Sequence, residues 1–88
     1  MASYRVTIKP SVERDLRVLP KVVLQRIWAR IEGLSVDPIP RQSTKIAGAE
    51  HLYRLRVGDY RIIYGIDHEL KNVLVHYVRH RREAYRGL

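Results

Sequence analysis

The sequence of 88 residues predicts one small α+β domain, spanning residues 1–88, in which two N-terminal helices pack on one side of a curved antiparallel sheet. Three patterns predict this class. Apolar residues alternate with period two near the N-terminus and in a central hairpin. They recur at helical spacing in two consecutive segments between these strands, and a valine-rich segment follows the hairpin. The predicted order is therefore β-α-α-β-β-β.

The first strand and the first helix follow from the two kinds of spacing. Tyr4–Ile8 alternates, and the Lys9-Pro10-Ser11 segment then ends the strand and begins a helix over about 11–18. The apolar residues of this helix lie four and three positions apart and are Val12, Leu16 and Leu19. Pro20 cannot continue the helix but suits the first turn of the next one.

The second helix is expected over about 21–35 and carries one apolar stripe. The stripe is expected to be buried and contains Val23, Leu24, Ile27, Trp28, Ile31 and Leu34. Pro38 and Pro40 stop helical structure, so residues 36–50 are expected to form a surface loop. Lys45 adds positive charge to this loop.

The central hairpin is expected over about 51–57 and 60–66, because Gly58-Asp59 suits a two-residue type II′ turn. This turn predicts an apolar face that pairs Val57 with Tyr60, Leu55 with Ile62 and Tyr53 with Tyr64. The opposite face then carries Arg54, Arg56 and Arg61, with Arg56 directly across from Arg61. Like charges in that position are destabilising, so the cluster indicates a compensating polyanion. The alternative is a solvated face of scattered arginines.

The last strand is expected over Asn72–Arg79, after a polar turn at residues 67–71. Its apolar residues fall on both parities, which predicts a central strand covered on both faces. The segment 80–86 is polar and compatible with one helical turn. The aromatic side chains expected in the core are Trp28, Tyr53, Tyr60, Tyr64 and Tyr77. Without exposed aromatic rings on the charged face, we expect phosphate contacts rather than base stacking to dominate binding.

Composition favours an anionic partner. Lys and Arg total 17 against 9 Asp and Glu, which gives a net charge of +8. Such an excess favours nucleic acid, and more weakly a membrane surface. Cysteine is absent, which excludes disulfides and thiolate metal sites. No apolar run reaches the length of a membrane span and no signal-peptide pattern begins the chain, so we expect a cytoplasmic protein that does not act at a membrane.

The candidate chemistry depends on arginine. The sequence has no Ser-His-Asp pattern, Gly-rich phosphate loop or metal-ligand spacing, and we expect no cofactor and no metal. The guanidinium groups that could stabilise the charge of a phosphodiester transition state belong to Arg54, Arg56, Arg61 and Arg81. Each could equally be a solvated cation or a phosphate anchor without chemistry. A general base could be Tyr85, if nearby arginines favour its phenolate, or His80.

The hairpin Tyr53–Tyr64 and the C-terminal segment His80–Tyr85 closely resemble the RelE-type toxins of bacterial and archaeal toxin–antitoxin pairs, and the likeness extends over roughly residues 3–86. The resemblance implies a ribosome-dependent endoribonuclease, an mRNA interferase, that inhibits translation by cutting messenger RNA in the decoding A site. The products would be a 2′,3′-cyclic phosphate and a free 5′-hydroxyl.

The resemblance also assigns roles to residues. Arg54 and Arg56 would contact the phosphate, and Arg61 matches the arginine that follows the hairpin turn. Arg81 matches a proposed general acid or charge stabiliser, and Tyr85 matches the proposed general base, for which His80 could substitute. The full set of expected RNA contacts is Lys45, Arg54, Arg56, Arg61, His80 and Arg82.

The resemblance further implies a cognate antitoxin whose C-terminal segment wraps the toxin, while operator DNA is bound only through the antitoxin. An acidic or amphipathic segment would suit a partner of charge +8. Two other functions stay open from the sequence. One is inhibition of DNA gyrase without nuclease activity, as in the ParE-type toxins of the same fold. The other is a non-catalytic RNA-binding module held by counterion release.

Overall fold

A computed structural model describes residues 4–81 and confirms the α+β class. The elements are β1 (Arg5–Ile8), α1 (Pro10–Arg17), α2 (Lys21–Gly33), β2 (Ser43–Lys45), β3 (Leu52–Val57), β4 (Tyr60–Asp67) and β5 (Asn72–His80). Arg82, Tyr85 and the rest of the expected C-terminal turn lie outside the described residues. No helix within residues 4–81 is long and apolar enough to cross a membrane.

The five strands form one sheet in the order β1-β5-β4-β3-β2. Two details differ from the predicted antiparallel sheet of four strands. The two helices carry the chain from β1 at one edge of the sheet to β2 at the other edge. The later strands lead back until β5 lies parallel beside β1, so the sheet is mixed. The predicted loop contains β2, which pairs antiparallel with β3 along its open edge. Only three residues form this strand, and tertiary pairing rather than local sequence pattern determines it.

Helix α1 packs against β5 and α2 against β3, on one face of the sheet that we call the helix face. Pro10 is the first residue of α1, where its missing N–H costs no helical hydrogen bond. The buried residues form one core cluster made of Val12, Leu16, Ile27, Ile31, Leu34, Leu55, Val57, Ile62, Tyr64, Ile66, Val73, Val75 and Val78. Tyr53 and Tyr60 are half-buried and pack against it, as predicted.

The prediction that Trp28 is a core residue is wrong, because 43% of the residue is exposed. Helical residues are about 100° apart around the axis. Ile27 and Ile31 point into the core, so Trp28 lies at the flank of the stripe rather than at its centre. The apolar stripe of α2 is thus narrower than the sequence pattern suggests.

A β-bulge corrects the interpretation of β5. Ile63 lies opposite Tyr77, whereas the next residue, Tyr64, lies opposite Val75, so His76 is an extra residue in β5. The bulge exchanges the two faces of the strand at this point. Val73 and Val75 before it and Val78 after it therefore all face the helices. The predicted central position of β5 is confirmed, since it lies between β1 and β4. The predicted cover on both faces is wrong: the bulge buries valines of both parities on the helix face, whereas Leu74 on the opposite face is only half-buried. Tyr77, predicted to be buried, is 48% exposed on the face opposite the helices.

Tyr64 joins the sheet to the long connection after α2. Its buried ring stacks on Tyr53 with 5.8 Å between ring centroids, and its hydroxyl donates a 2.8 Å hydrogen bond to the Pro38 carbonyl. Burial raises the pKa of Tyr64 from its ordinary value of 10.0 to about 12. The folded protein therefore favours the neutral phenol.

We predict that the stability advantage of the wild type over Tyr64→Phe falls at alkaline pH. At neutral pH the lost hydrogen bond should cost the variant about 0.5–1.5 kcal/mol. Because the pKa of Tyr64 is raised on folding, its phenol contributes to the free energy of unfolding of the wild type. This contribution is complete below the pKa of the unfolded chain, about 10, and is lost as pH rises through the folded pKa of about 12. Urea unfolding of both proteins across this alkaline range measures the difference, and a pH-independent difference would contradict the prediction.

Candidate functional site

The β3–β4 hairpin has the predicted register throughout. Val57 pairs with Tyr60 and Tyr53 with Tyr64 on the helix face. Gly58 has a φ of 59°, whereas Asp59, the second residue of this turn, has a negative φ, which fits a type II′ turn with glycine at its first position. A residue with a Cβ would be strained at Gly58, so this glycine protects the register on which the charged face depends.

The sheet face opposite the helices carries the three predicted arginines, and we call it the arginine face. Arg56 is the cross-strand partner of Arg61, and Arg54 is the partner of Ile63 on the same face. Arg54 and Arg56 are exposed, and Arg61 is half-buried. Directly paired side chains are about 5 Å apart at their Cβ atoms, so Arg56 and Arg61 form a close pair of like charges.

The arginine face continues onto β5, which sequence reasoning missed. Arg79 is the cross-strand partner of Arg61, so Arg56, Arg61 and Arg79 form one row across three strands, which we call the arginine row. Tyr77 lies beside this row as the partner of Ile63. A strict period of two along β5 would have placed both side chains on the helix face. The sequence contains one indication of the bulge. Val75 and Val78 are three residues apart, and two strand residues at this spacing can be buried on the same face only if a bulge lies between them.

The turn end of the hairpin brings Arg81 to the same place. The backbone N–H of Arg81 donates a 2.6 Å hydrogen bond to the Asp59 carbonyl, which extends the β4–β5 pairing to the turn. The Arg56 Nε donates to the Gly58 carbonyl at 3.2 Å. From the other side, the Arg26 guanidinium of α2 would lie 3.8 Å from a Cβ placed on Gly58. Arg26 was not expected here. The sequence pattern places it on the exposed face of α2 but does not show that α2 passes beside the Gly58-Asp59 turn.

Two expected RNA contacts lie elsewhere. Lys45 is the cross-strand partner of Tyr53, so the register places it on the helix side of the edge strand rather than with the arginines. His80 is the partner of Tyr60, and their rings meet edge to face with 5.1 Å between centroids. The imidazole of His80 is therefore on the helix face. Arg82 and Tyr85 follow Arg81 but lie outside the described residues.

An open depression of about 910 Å³ lies at the other end of the arginine face. Its floor is Gly65, which has Leu52 and Leu74 as cross-strand neighbours and no side chain of its own. The extra residue His76 lies against Gly65, with its Nε2 3.1 Å from the position a Cβ would take. Burial and the positive charge of Lys9 lower the pKa of His76, which favours its neutral form.

The arrangement is suited to binding phosphates. Guanidinium groups match the geometry of phosphate oxygens and stay charged at all physiological pH values. Three of them in one row, with a fourth at the adjacent turn, can contact one phosphodiester and its neighbours. Within residues 4–81, no three His, Asp or Glu side chains are grouped so that they could hold a metal ion.

Comparison with known proteins gives one family. A family model described as "ParE toxin of type II toxin-antitoxin system, parDE" matches residues 6–85. A chain from the archaeal RelE–RelB complex of Pyrococcus horikoshii OT3 is 33% identical and superimposes with a TM-score of 0.82, over 90% of this chain and 96% of that chain.

Two further solved structures agree. A chain from the toxin–antitoxin complex RelBE2 of Mycobacterium tuberculosis is 32% identical, with a TM-score of 0.77 over 90% of this chain and 99% of that chain. A chain from the RelB–RelE antitoxin–toxin complex of Methanococcus jannaschii is 25% identical, with a TM-score of 0.78 over 93% and 98% of the two chains.

We predict that Arg56→Ala makes thermal stability less sensitive to salt. In the wild type, added NaCl should screen the repulsion between Arg56 and Arg61 and raise the unfolding midpoint. The repulsion itself is worth about 0.2–1 kcal/mol. Arg30→Ala is the matched control, since it removes the same charge from an exposed position on α2. Equal salt responses of wild type, Arg56→Ala and Arg30→Ala would show that the pair is not under electrostatic strain.

Proposed function

Because this chain belongs to the RelE/ParE superfamily of toxins from type II toxin–antitoxin systems, we propose that it is an endoribonuclease that cuts messenger RNA on the ribosome. The observation that carries the proposal is the direct pairing of Arg56 with Arg61, beside the turn to which Arg81 is hydrogen-bonded. A fold alone would not require like charges in these positions, whereas a phosphodiester would compensate them.

The chemistry needs a proton acceptor, a proton donor and positive charge. The 2′-hydroxyl of the nucleotide before the cleaved bond loses its proton to a general base and attacks the adjacent phosphorus. The P–O bond to the 5′-oxygen of the next nucleotide breaks, and that oxygen takes a proton from a general acid. The products are a 2′,3′-cyclic phosphate and a 5′-hydroxyl, so no water is consumed and no redox step is needed.

The residues divide these tasks. Arg61 stabilises the extra negative charge on the phosphorane oxygens, since it lies between Arg56 and the β5 strand at the centre of the row. Arg54 and Arg56 hold the flanking phosphates. Arg81 stabilises charge at the leaving oxygen or delivers its proton through a water. Tyr85, the residue that the resemblance assigns as general base, takes the proton of the 2′-hydroxyl.

A cognate antitoxin would neutralise the same surface. The relatives from Pyrococcus horikoshii, Mycobacterium tuberculosis and Methanococcus jannaschii were solved as toxin–antitoxin complexes. We propose that this chain binds an antitoxin whose acidic C-terminal segment covers the arginine face, and that the complex reaches operator DNA through the antitoxin. The net charge of +8 favours such a partner.

Gyrase inhibition is the second candidate, because the description of the matching family names ParE. Two observations favour the nuclease. The solved relatives at 32% and 33% identity are from RelE complexes, and the chain has Arg81 and Tyr85 at its C-terminus together with the paired hairpin arginines. A ParE-type inhibitor does not need these side chains around a ribose phosphate.

We predict cleavage of a defined message within codons in a translation extract, and no cleavage when translation is blocked. Arg61→Ala and Arg81→Ala should each lower the rate by about 10²–10³, the usual loss for one donor to a developing anion. Arg30→Ala should cleave at the wild-type rate. Intact message together with stabilised gyrase–DNA complexes would establish the second candidate instead.

The identity of the base has its own test. We predict that Tyr85→Phe, which removes only the hydroxyl, lowers cleavage by about 10²–10⁴ without weakening ribosome binding. His80→Gln should cleave close to the wild-type rate, because its ring lies on the helix face. Unchanged cleavage by Tyr85→Phe would transfer the role of base to another residue, with His80 the next to examine.

A further inference from the structure

We propose that Arg79 is a further phosphate-contacting residue of the arginine face, held at the edge of the sheet by Asp15 and Tyr77. The proposal rests on the function above, because the anion is the RNA backbone. It adds a residue that neither the sequence pattern nor the resemblance assigned. It also makes the bulge at His76 a functional feature of this chain.

Arg79 occupies the β5 end of the arginine row. It is the cross-strand partner of Arg61, which is the partner of Arg56. Side chains that face each other across paired strands lie on the same face, and neighbouring Cα atoms are about 5 Å apart. The arginine row therefore spans about 10 Å of the sheet, wide enough for more than one phosphate oxygen.

The bulge at His76 places Arg79 on the arginine face. Without the extra residue at His76, the alternation that buries Val73 and Val75 would also turn Tyr77 and Arg79 toward the helices. With it, Val78 is buried and Arg79 joins the arginine face. A bulge that changes the aim of a side chain next to a site is a common use of this irregularity. Here it adds one cation to a row that already has two.

Asp15 and Tyr77 hold the Arg79 side chain in place. Its Nη1 lies 2.8 Å from Oδ2 of Asp15, and its guanidinium carbon lies 5.1 Å from the centroid of the Tyr77 ring. Strand β1 pairs with β5 only as far as Val75, so this contact with α1 lies beyond the end of β1. Asp15 also offsets the repulsion between Arg79 and Arg61 in the RNA-free protein.

Arg79 keeps hydrogen-bond donors for a phosphate beside its contact with Asp15. A guanidinium has five N–H donors, and the Asp15 contact is between one nitrogen and one oxygen. About 40% of the Arg79 side chain remains exposed. It can therefore donate to a phosphate oxygen while Asp15 keeps its plane fixed, which lysine could not do with the same geometry.

The test is the salt dependence of binding to a short single-stranded RNA with 2′-O-methyl groups, which cannot be cleaved. Each phosphate contact with a single strand contributes about 0.7 to the slope of log affinity against log salt concentration. We expect Arg79→Ala to weaken binding and to reduce the slope by about 0.7. Arg79→Gln, which can still donate to Asp15, should show the same reduction and serves if the alanine variant does not fold.

A matched control separates a phosphate contact from a general loss of charge. Arg30→Ala removes the same charge from an exposed position on α2, so it should keep the wild-type slope. A wild-type slope in both Arg79 variants, or an equal reduction in Arg30→Ala, would overturn the inference while leaving the proposed function intact. A wild-type chain that does not bind the 2′-O-methyl RNA would also overturn the inference, whereas the proposed function is decided separately by cleavage in the translation extract.

Discussion

The two-residue turn at Gly58-Asp59 is the constraint on which the rest of the site depends. It fixes which residues of β3 and β4 face each other, and a shift by one residue would exchange the apolar and the charged faces. Burial of Leu55, Val57 and Ile62 against the helices stabilises this register and offsets the repulsion on the charged face. The core thereby holds Arg56 and Arg61 opposite each other, although their charges repel.

The bulge in β5 is a second constraint and, like the turn, it determines which side chains lie on the arginine face. It keeps valines in the core on both of its sides and brings Tyr77 and Arg79 to the arginine face. The arginine row is therefore assembled by the backbone geometry of the sheet. Its cations sit on three neighbouring strands, and rigid elements hold a binding constellation more accurately than loops do.

The sequence allowed the hairpin to be predicted in full, because period two and a glycine-led turn are local signals. The first and last residues of α1 and α2 were predicted from the sequence to within two residues. The exposure of Trp28 and Tyr77 could not be predicted. That of Trp28 depends on how deeply α2 packs, and that of Tyr77 depends on the bulge in β5. The short strand β2 was missed because its pairing with β3 is tertiary.

The same division holds for the site. Arg54, Arg56 and Arg61 follow from hairpin register alone, whereas Arg26 and Arg79 become visible only when α2 and β5 are placed beside the turn. Tyr77 is exposed on the arginine face, but the Lys9 ammonium and the Arg79 guanidinium lie over its ring, 6.0 Å and 5.1 Å from its centroid. That phosphate contacts dominate binding stays a prediction.

The most direct test of the central claim is an NMR titration that follows the arginine side-chain Nε–Hε signals as uncleavable RNA is added. The account predicts that the signals of Arg56, Arg61 and Arg79 shift together, while that of Arg30 on α2 does not. Shifts confined to arginines of the helices, with the arginine row unchanged, would show that this surface does not receive the RNA.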